Sequence, residues 1–174
     1  GTSTKNDILI FEEKTEAFTV GIGLSADEKY YFITSSDHNT SEKYYFSVNE
    51  ETPKPKLIRV REKGIIYHMN SWDGYFYMHT NKNAEDFKIE RCKDISSQKW
   101  EVFIAPKKET LIGGLMFLNK WIIRSEVTNA LDKIFVRNKE KHRPSRKHYK
   151  ACMWLTICGY SGGRKRTSRH NFLP

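Results

Sequence analysis

The sequence predicts an all-β chain: a partial β-propeller of about three four-stranded antiparallel blades, followed by an irregular basic tail. Three observations predict it. The apolar stretches are short and rich in aromatic and β-branched residues, the composition of strands. They recur with a period near 45 residues, the length of a propeller blade. The basic excess lies wholly beyond residue 138, which separates the tail from the repeats.

The candidate strands follow one another with Gly, Asn, Asp and Pro between them. In order they are Ile8-Leu-Ile-Phe11, Phe18-Thr-Val20, Tyr30-Tyr-Phe-Ile-Thr34, Tyr44-Tyr-Phe-Ser-Val48, Ile65-Ile-Tyr67 and Tyr75-Phe-Tyr-Met78. Phe87-Lys-Ile89, Trp100-Glu-Val-Phe-Ile104, Leu115-Met-Phe117, Trp121-Ile-Ile123 and Ile134-Phe-Val136 continue the series. None sustains a 3.6-residue period for three turns, so none is read as a helix.

The order of these runs repeats. Tyr30-Tyr-Phe-Ile-Thr34 returns 45 residues later as Tyr75-Phe-Tyr-Met-His79, and 46 residues after that as Trp121-Ile-Ile-Arg-Ser125. Each copy starts after a polar turn: Asp27-Glu-Lys29, Asp73-Gly74 and Asn119-Lys120. The following strand repeats too, at Lys43–Val48, Asp86–Arg91 and Lys133–Arg137. The blades are read as 16–60, 63–105 and 109–138, the third without a recognisable fourth strand, and 1–12 as the end of a preceding blade. A β-sandwich also uses short strands and polar turns, but it gives no reason for strand and loop to recur in step. Three blades do not close a ring, so the reading leaves two apolar end faces and open sheet edges.

Net charge is +9, and all of it sits in residues 139–174, which carry ten Lys or Arg against one acid, Glu140. Residues 1–138 are electrically balanced. The basic tail is read as a solvated, disordered segment outside the repeat. Arg164–Arg169 offers phosphate-binding charge, but no aromatic platform alternates with it. No apolar run reaches the length of a membrane span. The start shows no charged region followed by an apolar one, so no signal peptide is expected, and it reads as a cut or internal start. Three cysteines, Cys92, Cys152 and Cys158, favour a reducing, cytoplasmic setting over a disulfide framework.

Few residues suggest chemistry. Gly159-Tyr-Ser-Gly-Gly163 fits the G-x-S-x-G pattern and makes Ser161 a formal nucleophile candidate. It is set aside, because the turn runs into Arg164-Lys-Arg-Thr-Ser-Arg169 and only His170 follows, with no Asp. Cys152, Cys158, His148 and His170 have the wrong spacing for a standard zinc site. His38, His68 and His79 are read as separate surface groups, and Glu12-Glu13 and Glu50-Glu51 as solvated acids in turns. The strand aromatics are read as packing between blades. No catalytic residue, metal or cofactor is expected.

Several segments carry a resemblance. They are Gly1-Thr2, Asp7-Ile-Leu-Ile-Phe-Glu-Glu-Lys14 with Phe18-Thr-Val20, and Pro55–Gly64 with Tyr67 and His68. Phe76-Tyr-Met-His-Thr-Asn81 with Ala84 and Phe87-Lys-Ile89 follows. Trp100-Glu, Leu111-Ile-Gly-Gly114, Phe117, Trp121 and Val136 complete the order. Over about 1–138 this resembles the propeller of the prolyl oligopeptidase family of serine peptidases, in its oligopeptidase B branch. The resemblance implies a propeller that caps an α/β-hydrolase domain with a Ser-Asp-His triad and admits short peptides, cleaved after Arg or Lys. No position here matches a triad or specificity motif. From Lys139 onward the text departs from the pattern, as a truncated or frameshifted reading would. The expectation is a substrate-gating propeller fragment, inactive alone, whose partners in the intact family are short peptides and the hydrolase domain. The alternatives are a non-enzymatic scaffold whose basic tail contacts nucleic acid or acidic surfaces, and a degraded product without function.

Overall fold

A computed structural model describes residues 3–139. Eleven strands and one short 3-10 turn, Thr4–Asn6, make up its regular structure. The strands are β1 (Thr19–Leu24), β2 (Tyr30–Ser36), β3 (Ser41–Ser47), β4 (Lys56–Arg59), β5 (Tyr67–Trp72) and β6 (Tyr75–Thr80). The rest are β7 (Lys88–Cys92), β8 (Glu101–Ile104), β9 (Thr110–Leu118), β10 (Trp121–Thr128) and β11 (Leu131–Asn138). They form three separate antiparallel meanders: β1 to β4, β5 to β8, and β9 to β11. The third has three strands among the described residues. The repeating segments at Tyr30, Tyr75 and Trp121 begin β2, β6 and β10, the second strand of each sheet.

Local chemistry sets the hairpins. Asp73 and Gly74 join β5 to β6 as a two-residue turn with φ of 52° and 76°, the doubly positive pattern that Asp-Gly suits. Asn129 and Ala130 do the same between β10 and β11, at 52° and 56°. Ala130 has a Cβ where glycine has none, so its turn is strained by about 1 kcal/mol. Gly113 sits where β9 shifts register opposite Ser125 of β10. A Cβ there would lie 2.0 Å from Ser125 Oγ and 3.1 Å from its carbonyl oxygen.

The sheets stack face to face. Alternation along β6 sends Phe76 to the first sheet, where it meets Tyr30 and Phe32, and Tyr77 to the third, where it meets Phe117. One core, with Phe32, Ile58, Phe76, Cys92 and Ile95, lies between the first and second sheets. A second, with Trp72, Tyr77, Ile89, Ile112 and Ile122, lies between the second and third. Burying a side chain of this size contributes about 1.5–3 kcal/mol.

Polar staples hold the first strands to their neighbours. Asp27 Oδ2 accepts from Ser71 Oγ at 2.9 Å, and Asn70 Oδ1 accepts from the Ala26 amide at 2.8 Å. The Ser41 amide donates to the Ile65 carbonyl at 2.9 Å, and the Tyr67 amide to Ser41 Oγ at 2.7 Å. At the next seam the Ile112 amide donates to the Asp86 carbonyl at 2.9 Å, and Trp72 Nε1 to the Leu118 carbonyl at 3.0 Å. These ties fix the first sheet to β5 and the second sheet to β9, one seam after the other.

The segment read as a strand at Ile8–Phe11 is not one. It has no ladder partner among the described residues, and Ile8 and Leu9 are exposed. Its backbone groups are not paired into a sheet, so the apolar run alone does not make a strand. It lies instead along the first sheet, with Phe11 edge-on to Tyr44 at 4.8 Å. The tail, with Ser161, Cys152, Cys158, His148, His170 and Arg164–Arg169, lies outside the described residues.

Candidate functional site

Two clusters stand out among the described residues. The first is ionic and sits on the face of the first sheet turned away from the second. Arg61, just past β4, donates through Nη2 to Glu13 Oε2 at 2.6 Å and through Nε to Glu42 Oε2 at 2.5 Å. Ser35 Oγ also donates to Glu13, and Tyr44 Oη donates to Glu42 Oε1 at 2.5 Å. The Arg61 guanidinium covers the Phe18 ring at 4.2 Å. Hydrogen bonds from Arg61 and Ser35 hold Glu13 well below the usual carboxylate range, and the two acids push Arg61 up. Burial and the bond to Glu42 push Tyr44 up to about 12. Every oxygen of the two acids has a donor. The arrangement clamps residues 11–18 onto the sheet and leaves no free acid or base for catalysis.

Glu13 was expected in solvent. Its side chain is only 9% exposed, because Arg61 returns to it from 48 positions away. Glu12 and Glu51 are exposed. Glu50 accepts from the amides of Ser47 and Lys54, both at 3.3 Å, and so braces the loop before β4.

The second cluster lies between the second and third sheets. A cavity of 320 Å³ is lined by His68, Asn70, Tyr77, His79, Leu115 and Phe117, with Met69 and Gly114 completing its wall. His68 and His79 were expected to be separate surface groups. They are register partners across β5 and β6, and their rings stack at 5.6 Å. Burial lowers the pKa of both, and for His68 the Lys43 ammonium adds to it, although the side chain of His68 still reaches solvent. The turn signal could have paired them: a two-residue turn at Asp73-Gly74 puts His68 opposite His79 by counting outward. His38 is exposed in the loop between β2 and β3.

Neither cluster assembles a nucleophile with a base. His79 Nε2 bonds the Ile112 carbonyl, not a hydroxyl or thiol. Cys92 is buried, and burial pushes its thiol up to about 11, the inert direction. Among the described residues no three His, Cys, Asp or Glu side chains gather at metal-binding distance. None of their helices is long and apolar enough to cross a membrane. The strand aromatics pack between sheets, as expected.

Stacked antiparallel meanders suit several propeller classes, and comparison with known proteins decides among them. Residues 1–170 match the family model described as prolyl oligopeptidase, N-terminal beta-propeller domain. The chain belongs to the prolyl oligopeptidase family. Within that family it is oligopeptidase B-like. Protease 2 of Moraxella lacunata is 34% identical over 100 residues, 56% of this chain and 14% of that protein. Dipeptidyl aminopeptidase BI of Pseudoxanthomonas mexicana is 26% identical over 139 residues, 78% of this chain and 19% of that one. Oligopeptidase B from Trypanosoma brucei, in a closed form with covalently bound antipain, superposes with a TM-score of 0.73 at 22% identity. That superposition covers 87% of this chain and 22% of the other, and it speaks for the fold. The chain spans less than a fifth of the length of these sequence relatives. The family match runs past β11, where the described sheets end, to residue 170.

Proposed function

We propose that this chain is the substrate-gating propeller segment of a cytoplasmic oligopeptidase B-like serine peptidase that cleaves short peptides after Arg or Lys. The observation that carries the reading is the match of residues 1–170 to the family's propeller, on three separate antiparallel meanders. A narrow channel formed by such sheets passes an extended peptide and stops a folded domain, which is a steric basis for gating. The propeller's role is selective access and support of the hydrolase domain; bond cleavage belongs to that domain's triad.

The 174-residue polypeptide by itself is inactive in this reading, since its described residues pair no nucleophile with a base. A fluorogenic peptide with Arg before the scissile bond tests this. The expected result is no turnover above a heat-denatured control. Turnover abolished by Ser161→Ala would overturn it.

The charge asymmetry favours a second reading, a binding scaffold whose basic tail contacts nucleic acid or acidic surfaces. Steep salt-dependent retention on heparin, lost on deleting 139–174, would favour the scaffold.

A further inference from the structure

Where the Asp73-Gly74 turn meets the last residues of β11, positive charge outweighs negative. A cavity of 450 Å³ there is lined by Arg91, Arg137 and Lys139, and Asp73 is the one acid in its wall among the described residues. Asp73 is committed to Lys139, whose Nζ lies 2.7 Å from its Oδ1. Glu101, outside that wall, accepts from Arg91 Nε at 2.6 Å and is itself 60% exposed. Among the described residues no carboxylate pairs with Arg137. One ring holds both guanidiniums: Arg91 and Arg137 lie over Phe103 at 4.9 and 4.8 Å. Arg91 also lies over Tyr75, at 4.6 Å. A ring face attracts a guanidinium but does not satisfy its N–H donors, which spread in the guanidinium plane and need acceptors. Two like charges against one ring repel each other. The charge of Arg137 also reaches Arg124, where burial lowers the pKa and Arg137 adds to it. An anion seated beside the pair offsets that repulsion.

We propose that this cavity binds a phosphate group, free or as a monoester, bridged by Arg91 and Arg137 with Lys139 at its rim. The lining sets Arg91, Arg137 and Lys139 against Asp73 alone. That excess suits a phosphate, which is close to doubly charged at pH 7, better than a singly charged carboxylate. The planar fork of a guanidinium also meets two phosphate oxygens at once. Arg91 keeps terminal N–H groups for the ligand after bonding Glu101 and Tyr77. Arg137 is half-buried and Lys139 is exposed, so the site is reached from solvent and its affinity falls with salt. This inference does not depend on the proposed peptidase role.

Nuclear magnetic resonance of the ¹⁵N-labelled 174-residue chain tests it. Inorganic phosphate and, separately, N-acetyl-phosphoserine amide are titrated at constant ionic strength, with sodium chloride as the reference. The signals followed are the Nε–H groups of Arg91 and Arg137 and the indole N–H of Trp72, which also lines the cavity. The basic tail attracts phosphate too, so binding is read from these signals and not from total uptake. Saturable shifts at all three are expected with at least one probe, and the tighter probe tells whether the site takes the free ion or the ester. Arg137→Gln is expected to weaken the affinity read at Arg91 and Trp72 at least about tenfold, and Arg137→Lys to weaken it less. Arg137 is not in either core, so both variants keep the fold, which unchanged amide signals in β1 to β8 verify. Absence of saturable shifts with either probe, shifts that chloride reproduces, or an affinity unchanged by Arg137→Gln would overturn the proposal.

Discussion

The two seams between sheets are built from the same aromatic strands but differ in how they are filled. Between the first and second sheets, Phe76 packs against Tyr30, Phe32 and Tyr45, with ring centroids from 4.8 to 6.5 Å apart. Between the second and third, aromatic rings share the space with guanidinium groups. Phe103 lies under both Arg91 and Arg137, at 4.9 and 4.8 Å, and a 320 Å³ cavity lies in the same seam. Their basic side chains differ too. The first seam holds Lys43, bonded to Thr34 Oγ1. The second holds the His68 and His79 pair. The first seam too has a guanidinium over a ring, Arg59 on Trp100 at 5.5 Å, beside a cavity of 210 Å³, so the difference lies in the ring cluster around Phe76 and in the basic side chains each seam holds. Repetition of strands therefore does not imply repetition of energetics.

That contrast can be broken at its strongest point. Phe76→Ala opens a void at the centre of the ring cluster in the first seam and is expected to cost about 3–5 kcal/mol. Phe117→Ala enlarges a cavity that already exists and is expected to cost less. Urea unfolding of both variants measures the difference; equal losses would remove the distinction between the seams.

A second loss, somewhat smaller, separates the seams from the clamp on the outer face. Arg61→Ala leaves Glu13 and Glu42 without their shared cation, their side chains 9% and 8% exposed. Breaking such a pair costs about 3 kcal/mol. Because Glu13 is held low when folded, the clamp's stabilisation is present at neutral pH and fades only as pH falls below the usual carboxylate range. Acid titration of the two chains should therefore converge at low pH. Parallel curves down to pH 2 would contradict it.

Gly113→Ala probes the register shift beside the cavity. Its Cβ would meet Ser125 Oγ at 2.0 Å, and forcing such a clash costs about 1–3 kcal/mol. Ser125→Ala in the same chain should recover part of the loss, and Gly114→Ala, with open space around it, should cost little. Thermal unfolding of the four chains reads this directly.

The buried bases give the seams different pH signatures. Burial pushes Lys43 down to about 8, against about 10.4 for an unfolded lysine. Between those values the unfolded chain binds more protons, so stability rises with pH. The rise is opposed above about pH 8.5 by Cys92, pushed up to about 11, and above about pH 10 by Tyr44 and Tyr67, pushed up to about 12, all of which keep protons that the unfolded chain gives up. Lys43→Met should flatten the rise. In the other seam His68 and His79 are both held low, so stability falls as pH drops below the ordinary histidine value, and His79→Gln should reduce that slope without abolishing it. The smallest expected effect is a gain. Ala130→Gly relieves the positive φ of the last hairpin and should stabilise by up to about 1 kcal/mol, less the entropy glycine adds to the unfolded chain.

Much of the fold is legible in the sequence because it is written locally. The aromatic runs at Tyr30, Tyr75 and Trp121 and the turns before them mark strand starts without knowledge of any partner. The run at Ile8–Phe11 misleads for the same reason: its composition suits a strand, but a strand needs a ladder, and none of the described residues supplies one. Glu13 and Arg61 were not legible as partners, since no periodicity links residues on different connections. His68 and His79 lay between these cases. Their pairing follows from the Asp73-Gly74 turn, but the Ile112 carbonyl that fixes the His79 tautomer comes from another sheet.

The account rests on three sheets stacked in series, and nuclear Overhauser contacts between assigned aromatic side chains test it most directly. Cross-peaks are expected between the rings of Tyr30 and Phe76, 4.8 Å apart, and between those of Tyr77 and Phe117, 4.9 Å apart, with none between Tyr30 and Phe117. Backbone contacts joining β2, β6 and β10 as neighbours in one continuous sheet would contradict it.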